Sequence, residues 1–304
     1  MEKPTISEIE SQIEKCIAFG KYPVVTKKII ESAWSYTPSQ KVLDSKEILL
    51  EEYNNYIEML LTLPKNILEA FLSVMKNYDI KDNQRLEYER GFILDITEKL
   101  KEKNTKHAID YILEHSNSPL TQEKLQKTHG LLMEGTRNFS AKDYFFRKHN
   151  TKIVGTVVNG EREIYYIPPK ASEIPELAQL FLEYYNNEDL NKEIFTSPIM
   201  NHGLLASIQI FDDGNTRLAR LLQHAKLYRQ TNKLLGYDFK SPIIYSTKTY
   251  YPERNTYRAR TIQIVKDPNN QAFDDWNIFN HKHFLSQIYK NEERIKQLKK
   301  LKNI

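Results

Sequence analysis

The sequence predicts a mainly α-helical bundle that carries a single β-hairpin. Three observations lead there. Apolar residues recur at helical spacing through most of the chain. Only 9 of the 304 residues are glycine, which leaves few tight turns for a many-stranded fold. Strand-like periodicity emerges at one place, Lys152–Val158 and Glu161–Ile167, around Asn159-Gly160. Asn-Gly between two β-rich runs is the strongest short hairpin signal, and Pro168-Pro169 closes it.

The elements follow in order. Residues 6–20 place Ile, Glu and Lys at helical spacing behind Thr5 or Ser7 as cap. A second helix starts near Pro23 and runs to Trp34, and Pro38 breaks the pattern. Residues 46–62 form a strong amphipathic helix, and 65–77 and 83–101 read as helices too. The polar run 101–106 reads as a loop and marks a boundary: residues 1–105 form an N-terminal helical region, 106–240 a core, and 241–304 a C-terminal helical extension. Helices are expected over 107–115 and over 122–136, the latter capped by Thr121. After the hairpin come 172–187, with Pro175 tolerated in the first turn, then 197–208 and 218–228. Beyond Pro242, residues 271–285, with Trp276, Phe279 and Phe284, give an apolar helix, and Lys290–Lys302 is a solvated helix or tail.

Composition bounds the function. A net charge of +4 with dispersed lysines gives no footprint for nucleic acid. The single Cys16 excludes an internal disulfide framework and fits a reducing cytoplasm, with the thiol expected as a small buried apolar group. The N-terminus has no signal-peptide core and no run is long enough to span a bilayer, so a cytoplasmic protein without membrane attachment is expected.

The most informative stretch is Gln209-Ile-Phe-Asp-Asp-Gly-Asn-Thr-Arg-Leu-Ala-Arg220, a short polar loop that opens a helix. Helix starts present unpaired N–H groups and attract anions. Gly214 permits a tight turn, and Asn215 tolerates unusual backbone angles and can donate from its side chain. Arg217 and Arg220 share one helix face, and two fork-shaped cations there suit a polyphosphate. Asp212 and Asp213 supply the oxygen ligands that Mg²⁺ prefers. Asp-Asp-Gly-Asn is equally ordinary turn and cap chemistry, so the spacing alone leaves both readings open.

This stretch resembles the signature of the Fic (Fido-fold) family, HxFx[D/E]GNxRxxR. Phe211, Asp213, Gly214, Asn215, Arg217 and Arg220 fall at the expected spacing. The helix around His129 resembles the family's LHxxLMxGT segment, and Arg147, Ile153 and Gly155 match its RxxxxxIxG lead into a β-hairpin flap. The likeness extends over roughly residues 107–265. It implies a Fic-fold bundle with one flap and AMP transfer from ATP to protein hydroxyls. Mg²⁺ would sit on Asp213; Phe211, Gly214, Asn215, Thr216, Arg217 and Arg220 would form the nucleotide site, with Phe211 pointing inward. The flap segment Ile153, Val154, Gly155 and Thr156 would dock the target protein as an added strand, a role open beside that of a plain cover for the core.

The departures bear on the chemistry. Gln209 stands where the family has its catalytic His, and Thr216 where a second Gly is usual. A neutral amide cannot take a proton near pH 7, and loss of a general base costs about 10²- to 10⁴-fold. Gln209 can still orient a hydroxyl by hydrogen bonding. Tyr144 replaces a Gly frequent in the family, and Ser35–Gln40 contains no intact inhibitory [S/T]xxxE[G/N] motif. His202 and His224 are the remaining candidates for a base. The expectation is an atypical or weakly active protein adenylyltransferase. The alternatives are an inactive nucleotide-sensing or protein-interaction module, or a relative that moves another phosphate-containing group. Homo-oligomerisation and an inhibitory Glu from another chain are left open.

Overall fold

The computed structural model describes residues 5–18, 20, 22–85, 96–136, 145–150, 154–158, 161–187, 194–235 and 253–302. The Cys16 side chain, Tyr144, Ile153, the Asn159-Gly160 turn and residues 244–251 lie outside them. The described elements are α1 (Ile6–Ala18), α2 (Lys28–Trp34), α3 (Gln40–Leu61), α4 (Lys65–Arg85), α5 (Ile96–Glu114), α6 (Gln122–Met133), β1 (Val154–Val158), β2 (Glu161–Tyr166), α7 (Ile174–Asn186), α8 (Thr196–Ile208), α9 (Asn215–Leu235), α10 (Arg254–Lys266) and α11 (Asn270–Lys302). The fold is mainly α, a helical bundle with one antiparallel strand pair among the described residues.

α8 is its axis. Every residue from Thr196 to Ile208 is buried, so this helix has no solvent face and is walled on all sides. α9 lies against it, and α7, α10 and α11 complete the wall. Gly203 makes room for the largest neighbour: a Cβ there would lie 2.8 Å from Trp276 Nε1, which donates to Ile199 O at 2.8 Å. Trp276, Phe273 and Phe284 of α11 are all buried.

α3 and α11 run side by side in the same direction, tied by a ladder of polar pairs. Tyr36 Oη, just ahead of α3, donates to Asp274 at 2.7 Å. His281 Nδ1 meets Ser45 Oγ at 3.1 Å, Asn291 Nδ2 donates to Tyr56 Oη at 3.2 Å, and Lys299 donates to Thr62 Oγ1 at 2.7 Å. Buried polar groups need such partners, and the ladder fixes the register of the two helices.

Several expected boundaries move. The run 101–106, expected as a loop, is helical within an unbroken α5, so the boundary drawn at 105/106 falls inside a helix. Lys and Glu are good helix formers, and Asn104 and Thr105 face inward. Asn104 Nδ2 donates to Glu134 O at 2.5 Å, satisfying a carbonyl at the end of α6. α4 extends past residue 77 to Arg85. Pro23 does not open a helix: Ile167 N donates to Pro23 O at 2.9 Å and Val25 N to Ile167 O at 3.0 Å, so this segment continues the sheet beyond β2 in parallel. The Lys-rich end continues α11 as helix, with Ile295 fully buried.

β1 and β2 pair antiparallel from Val158↔Glu161 to Gly155↔Ile164, with an irregularity between Val154 and Gly155. Thr121 caps α6, its Oγ1 accepting from Lys124 N at 3.2 Å. Thr5 caps α1 with reciprocal bonds to Glu8.

Candidate functional site

The loop between α8 and α9 is held from three directions. α8 stops at Gln209, whose backbone is left-handed at φ 55°, ψ 54°, the one positive φ at a non-glycine among the described residues. Such a conformation costs about 1–2 kcal/mol and persists only where its surroundings impose it. Arg147 imposes it. Its Nε donates to Gln209 O at 3.0 Å and its backbone N–H to Ile210 O at 3.1 Å. The same guanidinium donates to His149 O at 3.1 Å and to Pro169 O. One buried cation thus ties the strands' lead-in and exit to the loop. Burial pulls the Arg147 pKa down to about 10, against the opposing charges of Asp212 and Glu173.

The Gln209 side chain is turned into the fold. Its Nε2 donates to Ala206 O, its Oε1 accepts from Asn215 Nδ2 at 3.2 Å, and Tyr166 bonds it as well. The residue is 7 % exposed. The amide braces the end of α8 rather than facing an acceptor hydroxyl.

Asn215 folds back in the same way. Its Oδ1 accepts from Phe211 N at 2.9 Å and its Nδ2 donates to Phe211 O at 2.8 Å. What Asn215 offers a ligand is therefore its backbone at the helix start, not its amide. Phe211 is wholly buried and stacks on His129, with ring centroids 3.7 Å apart and planes 5° from parallel. His129 Nε2 meets Asp213 O at 2.8 Å, so this histidine supports the loop from below.

Gly214 opens α9 at φ +76°, its carbonyl accepting from Leu218 N at 2.9 Å. A Cβ there would come within 2.7 Å of Met133 Sδ. The first-turn N–H groups of α9 have no partner within the helix and face the loop's anion-attracting end.

The two arginines are placed differently. Arg217 is 5 % exposed, and its Nη2 donates to Met133 Sδ at 3.1 Å. Its Nε and Nη1 meet no acceptor among the described residues. A thioether is a weak acceptor, so among the described residues this buried cation has no hydrogen-bonded carboxylate. Arg220, one turn deeper, is 1 % exposed and engaged within the fold beside His202 and His224. Thr216 is half-buried in the first turn.

Asp212 and Asp213 are the exposed members. Asp213 Oδ1 accepts from Gly214 N at 2.6 Å, and a carboxylate has further lone pairs for a cation. Among the described residues, no group of three His, Cys, Asp or Glu is poised for a metal. Exposed carboxylates beside a helix start are of the kind that holds Mg²⁺, which takes one or two carboxylates together with phosphates.

Neither remaining histidine is positioned as a base on the loop. His202 Nε2 meets Tyr257 Oη at 2.9 Å, against the Trp276 ring. Burial, then Arg220, holds its pKa well below the ordinary value; the same causes take His224 down to about 3.

Val154 is the half-buried start of β1, and Gly155 and Thr156 pair with β2 through the backbone. The Arg147 clamp and the Met133 contact were not read from the sequence as parts of the loop. The motif matches that contain both residues were the only signal for them. A cleft of about 450 Å³, lined by Gln122, Phe145, Arg147, Lys148 and Pro175 among others, lies at the far end of α6 from Met133. No helix among the described residues is long and apolar enough to cross a membrane.

Comparison with known proteins fits this geometry. The Fic/DOC family model matches residues 119–227, which span α6 to α9. Among solved structures, a segment of Fic-1 from C. elegans aligns with a TM-score of 0.60 at 15 % identity, covering 84 % of this chain and 74 % of that one. A Fic family protein from Desulfovibrio desulfuricans gives 0.59 at 18 % identity, covering 85 % and 76 %. A Fic domain-containing signaling protein from Bacteroides thetaiotaomicron gives 0.60 at 13 % identity, covering 83 % and 98 %. No curated protein matches by sequence. Residues 119–227 thus match the Fic/DOC family, in a chain with the fold of Fic proteins.

Proposed function

We propose that the protein binds Mg²⁺-ATP at the Gln209–Arg220 loop and is an atypical protein adenylyltransferase, with AMP transfer to target hydroxyls slow because Gln209 replaces the base. The observation that carries the binding reading is the buried Arg217 guanidinium, whose Nε and Nη1 meet no acceptor among the described residues. An uncompensated cation at a helix start calls for an anion, and a phosphate satisfies both features at once.

In this reading the backbone at Gly214 and Asn215 holds the α-phosphate, Thr216 lines the first turn, and Arg217 meets the β-phosphate. Phe211 shapes the site from beneath. Asp213 holds Mg²⁺, which when bound neutralises charge on the phosphate oxygens. A target segment adds to the free edge of β1 near Val154, Gly155 and Thr156, because the outer side of Ile167 is already taken by Pro23–Val25. A cytoplasmic setting accords with the ATP requirement.

The test has two parts. Mg²⁺-ATP should raise the melting temperature of the protein and leave the Asp213→Ala, Arg217→Ala double variant unmoved; an equal shift in both would refute the site. Transfer of α-labelled AMP to lysate proteins should be weak from the protein itself and at least about tenfold stronger from Gln209→His, the low end of a general base's worth. Equal transfer from both would refute the role given to Gln209.

One observation favours a second reading, an inactive nucleotide-sensing or protein-binding module. Both polar atoms of the Gln209 amide are engaged by Ala206 and Asn215, so the side chain has no remaining group pointed at an acceptor. Binding without transfer from the unmodified protein identifies that case.

A further inference from the structure

We propose that the cleft at the start of α6 is a second binding site, which takes a small organic anion carrying an apolar ring and transmits its presence to the Gln209–Arg220 loop. The site stands independently of nucleotide binding at that loop.

The cleft holds about 450 Å³, the size that encloses a small ligand. Its walls come from the first turns of α6, the segment 145–148 and the residues that lead into α7. One part is apolar. Phe145 is 60 % exposed there, with Phe146 and Pro175 beside it. An open aromatic face of this kind gains by covering a second ring.

The other part is cationic. Lys148 Nζ lies over the Phe145 ring, 5.6 Å from its centroid, and makes no ion pair among the described residues. Arg147 directs its guanidinium to the carbonyl oxygens of Gln209, His149 and Pro169, which satisfy its N–H groups and leave its charge in place. No Asp or Glu is among the described lining residues. Glu173, next to the lining Ser172 in sequence, turns back to accept from Lys170 N at 2.8 Å. Two cations and an aromatic face, with no carboxylate between them, suit one kind of ligand. Its carboxylate meets Lys148, and its ring packs on Phe145 and Pro175.

Two consecutive residues separate this cleft from the loop. Phe146 lines the cleft and packs on Phe211, with ring centroids 5.6 Å apart. Arg147 lines it too, bonding Gln209 O through Nε at 3.0 Å and Ile210 O through its backbone N–H at 3.1 Å. A ligand seated against these two residues therefore bears on the left-handed turn at Gln209.

Phenylacetate, titrated into the isotopically labelled full chain and followed by two-dimensional N–H NMR, tests this. It should saturate with a Kd on the order of 1 mM, as befits a ligand of about ten heavy atoms. The amides of Phe145, Phe146 and Lys148 should move, and those of Ile210 and Phe211 should move with the same midpoint. Phenylacetamide, which lacks the charge, and acetate, which lacks the ring, should each bind about tenfold more weakly or worse. Lys148→Glu, at an exposed position, should weaken phenylacetate by about tenfold or more with the remaining resonances in place. Phenylacetate no tighter than phenylacetamide or acetate, or undiminished by Lys148→Glu, overturns the site. So does the lack of any saturable shift well above that Kd. Binding that leaves Ile210 and Phe211 unmoved overturns the link to the loop.

Discussion

Acidification should unfold this protein well before its carboxylates are fully protonated, and three buried imidazoles set the scale. His202 and His224 lie fully buried beside the Arg220 guanidinium, with Gln223 and Tyr257 as polar neighbours. His281 is buried between α3 and α11, bonded to Ser45 and within reach of Lys46. Burial first, and these cations second, hold all three neutral: His281 falls to about 4, His224 to about 3, and His202 well below the usual range. In the unfolded chain each titrates near 6.5. Above that pH both states are neutral and stability is undiminished. Below it the unfolded chain takes up protons that the folded chain refuses, so stability falls until the folded values are reached. At pH 5 the gap is about 1.5 units, or roughly 2 kcal/mol per histidine and about 6 kcal/mol for the three. Whole domains have about 5–15 kcal/mol to lose. At about 2 °C per kcal/mol for a chain of this size, the melting temperature should drop by roughly 12 °C between pH 7 and pH 5. Differential scanning calorimetry across that range measures it. His224→Gln should lower the pH dependence by about one third while changing stability at pH 7 by its own fixed amount. A melting temperature flat from pH 7 to pH 5, or an undiminished slope in His224→Gln, would show that the imidazoles accept protons in the folded state.

Other perturbations have equally definite signs. Gly214→Ala meets both the positive φ and Met133 Sδ at 2.7 Å; it should cost about 1–3 kcal/mol by denaturant unfolding and abolish any Mg²⁺-ATP melting shift. Gly203→Ala drives a methyl to within 2.8 Å of the Trp276 indole, so it should cost about 1–3 kcal/mol, visible as a lower urea midpoint. Arg147→Met removes the donor to Gln209, His149 and Pro169 carbonyls; a loss of roughly 3 kcal/mol in denaturant unfolding is expected, and a neutral outcome would mean that water replaces the clamp.

Much of this architecture was readable from residue order because periodicity reports burial directly. The amphipathic helices, the capping Thr121 and the hairpin all arise from local chemistry. So does the signature loop, where Phe211, Gly214 and Asn215 each do one thing. The failures share a cause: the decisive contact is distant in sequence. Residues 101–106 look like a loop because Asn104 and Thr105 are polar, and only the α6 carbonyls that Asn104 meets explain their burial. Pro23 looks like a helix start because its partner, Ile167, lies across the molecule. The inward turn of Gln209 was equally hidden, since it depends on Ala206 and Asn215 together with the clamp from Arg147. A residue's type indicates what it can bond; it does not reveal which bond the fold has already taken.

The ladder between α3 and α11 has a consequence for how the molecule is made. Its rungs join residues more than 230 positions apart, Tyr36 to Asp274 and Tyr56 to Asn291 among them. α8, buried on every side, needs Trp276 and its neighbours before its last apolar face is covered. On a ribosome adding about 5–20 residues per second, roughly 15–60 seconds pass between the first residue and the last turn of α11. Through most of that interval the signature loop exists as sequence without its wall. The candidate site is therefore among the last parts of the protein to acquire its shape, and a chain that stops short of α11 carries the motif without the surroundings that position it.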